Sequence, residues 1–227
     1  MKPYVFREYD IRGVVETDFS DYDLVQLGKG FGTLLRRKGG KRASLGYDAR
    51  LSSPHLHDKV LEGMLSTGLH VYDLGMVPTP LSYFSLFHFD LHGGIMITGS
   101  HNPPEYNGFK IEIGKTTIYG SEIQDFRKLI EKGDFLTGTG QVEQVDLVDA
   151  YIEMVKEKIS LGKKMKVAVD SGNGTGGILA PRLIRELGAE VIELFSEPDG
   201  NFPNHHPDPT VDKYITELIE TVKTQNL

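Results

Sequence analysis

Ala43-Ser44-Leu45-Gly46-Tyr47-Asp48 and Thr67-Gly68-Leu69-His70-Val71-Tyr72-Asp73-Leu74 bracket a stretch in which Val60, Leu61, Met64 and Leu65 recur at helical spacing. The first segment reads as a short strand running into a loop. The middle reads as an amphipathic helix, and the last as a helix stop followed by a new strand. The same order returns later in the chain. Lys166-Val167-Ala168-Val169-Asp170 reads as a strand, residues 178 to 187 as a helix, and Leu187-Gly188-Ala189-Glu190-Val191-Ile192-Glu193-Leu194 as a stop and a strand. Gly68 and Gly188, Val71 and Val191, Leu74 and Leu194, and Pro78 and Pro198 each stand 120 positions apart. Strands that alternate with helices are joined by right-handed crossovers and build mainly parallel sheets. The expected fold class is therefore α/β: two similar α/β domains with mixed, mainly parallel sheets flanked by helices. Residues 134 to 144, rich in Gly, Thr and polar side chains, look like the linker, which sets the domains at 1–140 and 141–227. A helix through Tyr151, Ile152, Val155 and Ile159 is expected to lead into the second.

Composition excludes several classes of function. The 227 residues are enough for a sizeable core, and 39% hydrophobic with 25% charged residues is ordinary for a globular protein. A net charge of −7 argues against general nucleic-acid binding, which uses a basic face. The absence of cysteine removes disulfides and thiolate metal sites. No apolar run approaches a membrane span and no signal-peptide core opens the chain, so a cytoplasmic location is the default.

The chemistry gathers between two strand-like runs. Gly93-Gly94-Ile95-Met96-Ile97 ends in Thr98-Gly99-Ser100-His101-Asn102-Pro103-Pro104, and Phe109-Lys110-Ile111-Glu112-Ile113 returns, with Asn107-Gly108 as a turn signal before it. The loop collects a hydroxyl, an imidazole, a carboxamide and, from the returning strand, an ammonium. Its two prolines restrict the backbone. Such a loop suits a nucleophilic hydroxyl beside acid–base groups, although Ser, Asn, Pro and Gly are also ordinary turn residues. A serine hydrolase fits poorly, because Ser100 is not set in Gly-x-Ser-x-Gly.

This segment resembles the active-site serine loop of the α-D-phosphohexomutases, the phosphomannomutase/phosphoglucomutase family. Phe6-Arg7-Glu8-Tyr9-Asp10-Ile11-Arg12-Gly13, Gly46-Tyr47-Asp48-Ala49-Arg50, Val77-Pro78-Thr79-Pro80, Asp170-Ser171-Gly172-Asn173-Gly174 and Pro198-Asp199-Gly200-Asn201-Phe202-Pro203-Asn204-His205-His206-Pro207-Asp208-Pro209 match further blocks in the family's order. The resemblance implies an enzyme that interconverts hexose 1-phosphates and 6-phosphates of mannose and glucose through a bisphosphorylated sugar. Ser100 matches the phosphoserine, and its phosphate would supply one ligand to Mg²⁺. Lys110 matches the proposed general acid–base, and Arg12 an arginine that clamps phosphate or supports Lys110. His101 matches the residue next to the phosphoserine, while Tyr9 and Asn102 would line the substrate site. Members of the family continue into an Asp-x-Asp-x-Asp metal loop and two further domains. That loop is not found in this sequence, so the second domain is expected to be incomplete and the chain to be the N-terminal portion of a mutase. Its expected partners are hexose phosphates and the C-terminal remainder, with neither nucleic acid nor membrane.

Two other readings compete. Gly172-Asn173-Gly174-Thr175-Gly176-Gly177 satisfies G-x-G-x-x-G between a strand and a helix, with Glu193 about twenty residues on, as in a dinucleotide-binding oxidoreductase. The simpler account is a tight turn, with Asp170 and Asn173 as cap or turn residues. A non-catalytic phosphosugar-binding module is the third possibility. Among the remaining groups, Gly28-Lys29-Gly30-Phe31-Gly32 is expected in close helix packing and Ser52-Ser53-Pro54 as an N-cap with a first-turn proline. His55, His57 and His70 are expected at the surface. His205-His206 is read as structural rather than as a metal pair.

Overall fold

The computed structural model describes all 227 residues, which fall into two compact units: Met1–Ser100 with Pro104–Val145, and His101–Pro103 with Asp146–Leu227. No helix is long and apolar enough to cross a membrane.

After a 3₁₀ turn at Pro3–Val5, the first unit runs β1 (Ile11–Val14), α1 (Val15–Asp18), α2 (Asp21–Arg37), β2 (Arg42–Tyr47), α3 (Ser53–Leu65), β3 (His70–Met76), α4 (Thr79–His88), β4 (Gly93–Ile97), β5 (Tyr106–Ile113), β6 (Thr116–Thr117), α5 (Ser121–Lys132) and β7 (Gln141–Gln144). Its sheet has the order β1-β5-β4-β2-β3-β7, with β6 beside β5. β4, β2, β3 and β7 are parallel, whereas β1, β5 and β6 join antiparallel. The sheet is thus mixed, as expected. Every residue of β4 is buried, so its apolar run is continuous rather than alternating, as a strand covered on both faces should be. Helices lie on the two faces: an added Cβ at Gly93 would meet Leu35 of α2, and one at Gly94 would meet Leu86 of α4. Leu24, Leu27, Phe31 and Leu35 bring the apolar stripe of α2 against Leu56, Val60, Phe109 and Ile111. Ser20 and Asp23 start that helix with a reciprocal capping box, a feature worth about 1 kcal/mol. At Gly28 and Gly63 the backbones of α2 and α3 approach so closely that a Cβ at Gly28 would lie 2.2 Å from the Val60 carbonyl oxygen. The glycine-rich stretch therefore serves helix packing.

Four expectations need correction here. The segment at 134–144 contains β7, which pairs in parallel with β3 although all four of its residues are exposed. Asn107 and Gly108 lie inside β5, opposite Gly13 and Arg12, and do not form a turn. A Cβ at Gly108 would stand 2.4 Å from the Ile11 carbonyl oxygen, so the glycine admits β1. Ser52 makes no side-chain cap on α3, because its hydroxyl accepts from Asn107 Nδ2 at 2.9 Å. His57 is buried, with Nε2 2.9 Å from Asp73 and Nδ1 3.1 Å from Asp58.

The second unit holds α6 (Val148–Lys158), β8 (Lys166–Asp170), α7 (Gly176–Glu186), β9 (Glu190–Leu194) and, after a 3₁₀ turn at Asp212–Ile215, α8 (Thr216–Thr224). β8 and β9 are parallel, from Lys166 opposite Glu190 to Asp170 opposite Leu194. The strand, helix and strand of the internal repeat are all present. Ile159 lies just past α6, where the chain has turned extended. The core here is thin: Leu147, Ile152, Leu179, Pro181 and Ala189 are its buried apolar residues.

Candidate functional site

In an open α/β sheet, ligands bind beyond the carboxyl ends of the strands, where the chain order reverses. That point lies between β2 and β4 in the first unit, since β3 follows on one side of β2 and β4 returns on the other. The loops leaving these two strands are Asp48-Ala49-Arg50 and Thr98-Gly99-Ser100. One network ties them together. The Asp48 carboxylate accepts from the Gly99 N–H at 3.1 Å and from Ser53 Oγ at 2.6 Å, and lies 3.3 Å from Arg50 Nε. The Arg50 guanidinium, 1% exposed, donates to the Ser100 carbonyl at 2.9 Å and the Tyr106 carbonyl at 3.0 Å. Burial draws the guanidinium below its ordinary range, and the charge of Asp48 opposes that pull. A Cβ at Gly99 would stand 2.3 Å from Arg50 Nε, so only glycine lets the loop lie on the guanidinium.

Ser100 itself is exposed, with φ at 55° in the left-handed region that costs a non-glycine residue about 1 kcal/mol. The Thr98 hydroxyl accepts its N–H at 2.9 Å. The loop therefore clamps the Ser100 backbone while leaving the residue exposed. Strain at a single polar residue of this kind is characteristic of functional positions.

Register carries Arg12 and Lys110 to the same face. Arg12 of β1 stands opposite Gly108 of β5, and Lys110 lies two residues along β5 from Gly108. Both therefore project on the α4 side of the sheet, while Ile11, Phe109 and Ile97 enter the core on the other. Arg12 is paired with Asp10, and its positive charge also reaches Arg50. Tyr9 is exposed just before β1. His101 and Asn102 continue the loop after Ser100, but their contacts group them with the second unit. Ser100, Lys110 and Arg12 thus belong to one end of one sheet. Sequence reasoning gave no role to Asp48 or Arg50, although an Asp-x-Arg directly after a buried strand was the available signal.

The glycine turn of the second unit has a packing explanation. A Cβ at Gly177 would fall 1.7 Å from the Ser196 carbonyl oxygen, so the start of α7 packs directly on backbone. Asn173 takes φ of 56° and donates from Nδ2 to the Glu197 carbonyl at 2.9 Å. Asp170 accepts the Gly172 N–H at 2.9 Å and pairs with His205 Nε2 at 3.0 Å. Glu193, where a ribose-binding acid would sit, is engaged by Arg185 at 2.5 Å. Nowhere in the chain do three His, Asp or Glu side chains gather in a set that could hold a metal ion.

Known proteins match the chain over nearly its whole length. Residues 3–136 match the family model described as phosphoglucomutase/phosphomannomutase, alpha/beta/alpha domain I, and residues 149–227 match that of domain II. A phosphomannomutase/phosphoglucomutase of Pseudomonas aeruginosa is 44% identical over 98% of this chain and 48% of the relative. A phosphoglucomutase of Neisseria gonorrhoeae is 41% identical over 96% of this chain and 48% of the relative. The crystal structure of a phosphoglucomutase/phosphomannomutase family protein from Burkholderia thailandensis superposes with a TM-score of 0.94 at 40% identity, over 100% of this chain and 51% of that one. The chain thus spans about half the length of the curated relatives it matches. With both family models matched in order across nearly all of its residues, the chain belongs to the phosphoglucomutase/phosphomannomutase family.

Proposed function

We propose that this chain carries the phosphoserine part of a phosphohexomutase that interconverts hexose 1-phosphates and 6-phosphates of glucose and mannose. The observation that carries this reading is the Ser100 loop, whose backbone is clamped by Arg50 and Asp48 at the sheet's switch point while the serine itself is exposed. The names of the relatives cover both sugars.

In the reaction, the phosphoryl group leaves Ser100 Oγ for a free hydroxyl of the hexose monophosphate. The bond from phosphorus to the serine oxygen breaks as the one to the sugar oxygen forms. The sugar hydroxyl loses its proton to a basic side chain, and the serine oxygen gains one. Lys110 is the group assigned to this proton exchange, with His101 beside the serine to orient or relay it. Arg12 neutralises the phosphate oxygens, since phosphoryl transfer depends on positioning and charge stabilisation more than on covalent assistance. The bisphosphorylated sugar then returns the phosphoryl group at its other end to Ser100, which completes the isomerisation. Tyr9 and Asn102 are assigned to the sugar.

The resemblance also implies Mg²⁺, but the chain's own side chains form no cluster of three that would hold one, so no step above passes through the metal. The C-terminal remainder of the protein is the proposed source of that site and of the sugar-reading elements. Incubation with a hexose 1,6-bisphosphate labelled in phosphate tests the reading. Label is expected on Ser100 and absent from Ser100→Ala. No label on a protein that carries the C-terminal remainder would refute it.

A further inference from the structure

β5 carries one carboxyl group, and the proposed reaction does not use it. Glu112 is fully buried, and neither of its carboxyl oxygens has a hydrogen-bond partner. It stands between Gly94 of β4 and Thr117 of β6. Where a side chain at Gly94 would begin, Ser44 Oγ lies 2.4 Å away, Glu112 Oε2 2.8 Å and Leu86 of α4 3.4 Å. Ser44 Oγ is likewise buried without a partner, as is Ser82 Oγ one turn before Leu86 on α4. The glycine therefore leaves room for a small polar nest roofed by a helix. A bare carboxylate there would lack solvation, so burial pushes the Glu112 carboxyl up to about 8, with the charge of Lys110 pulling the other way.

Lys110 lies two residues back on the same strand and hence on the same face, about 7 Å away along β5. The other ionisable groups around the nest are occupied or turned outward. Tyr83 and His88 of α4 are exposed. Arg42 of β2 and Lys115 of the β5–β6 turn are engaged by Asp90. β4 and β6 carry no charged residue. Lys110 is the one charge that acts on Glu112.

We propose that Glu112 is a positioning residue for Lys110, a second acid–base group on the same sheet face whose proton occupancy sets the charge that Lys110 meets there. The inference rests on the role given to Lys110 above. Coupling between two titrating groups is reciprocal. While Glu112 is protonated, Lys110 faces a neutral nest. Once Glu112 loses its proton to solvent, a carboxylate stands on the same face as the Lys110 side chain.

Titration of the intact chain by carboxyl ¹³C NMR, with glutamate labelled, tests this. One resonance, missing in Glu112→Gln, is expected to titrate near 8, and Lys110→Met is expected to raise its midpoint by about one pH unit. The backbone amides of Gly94 and Thr117 report the same midpoint in unsubstituted protein, so the result does not depend on either variant folding. A Glu112 resonance that titrates with the surface glutamates, or one unmoved by Lys110→Met, overturns the proposal. Failure of Ser100 labelling with the Glu112 shift intact would remove the transfer reading alone. A labelled Ser100 with an unmoved Glu112 would remove the coupling alone.

Discussion

Two turns in this molecule leave the carboxyl end of a parallel strand on an aspartate, and they use it differently. In the first unit Asp48 receives the Gly99 N–H and the Ser53 hydroxyl and pairs with buried Arg50, which in turn grips the Ser100 and Tyr106 carbonyls. In the second, Asp170 receives the Gly172 N–H and pairs with His205, within a glycine turn packed on the Ser196 carbonyl. The local plan of strand, aspartate, turn and helix is shared. The outcome depends on the partner: the first aspartate reaches across to an adjacent strand's loop and the strained serine it carries, while the second closes its own turn and holds the His205 ring. An internal repeat thus supplies two similar scaffolds, and hydrogen bonds to partners distant in sequence give each its own surroundings.

The comparison predicts a graded set of effects. Arg50→Ala should be the most damaging, because it removes the counter-charge of Asp48 and the donor of two carbonyls; loss of about 4 kcal/mol is expected for the first unit, measured by denaturant-dependent hydrogen exchange of its amides. An unchanged first unit would mean that the network does not hold the loop. Gly177→Ala should cost the second unit about 3 kcal/mol by the same measurement, since the new methyl meets backbone that cannot move aside. Gly99→Ala should cost less, about 2 kcal/mol, because the obstacle is a side chain, but it should also displace the Ser100 amide resonance. If Gly99→Ala proved harmless, the close fit of loop on guanidinium would be disproved.

A smaller effect belongs to the His57–Asp73 pair of the first unit. Burial alone would lower the His57 pKa, but the hydrogen bond and charge of Asp73, with Asp58 behind it, raise it above its ordinary value. The same contact outweighs burial at Asp73 and lowers its carboxyl. The raised histidine contributes stability that is fully present below about 6.5, the unfolded value, and is lost as pH rises through the folded one. The depressed aspartate contributes stability present above about 3.9, lost as pH falls through its folded value. The first unit should therefore be most stable between these limits, and His57→Asn should flatten its decline above pH 6.5 in urea unfolding curves. The smallest change expected is a gain: Gly176→Ala, at the first turn of α7 with open space around its Cβ, should stabilise the second unit by about 0.5 kcal/mol.

Local pattern alone determined the alternation of strands and helices, the two-unit plan, the mixed and mainly parallel sheet, and the serine loop between β4 and β5. These follow from periodicity, helix stops and loop chemistry, which act over a few neighbouring residues. Tertiary contacts decided the rest. β7 has no alternation to betray it and exists because β3 offers an open edge. Asn107-Gly108 has the composition of a turn, yet Arg12 and Gly13 of a distant strand make it part of a ladder. Ser52 and Ser53 look like a cap, but their hydroxyls serve Asn107 and Asp48 across more than fifty and five positions of chain respectively. His57 and Glu112 have ordinary polar side chains whose burial cannot be read from their neighbours in sequence. Each of these groups takes its role from a partner brought by folding, because burial and hydrogen bonding are set by proximity in space, whereas sequence pattern records only proximity along the chain.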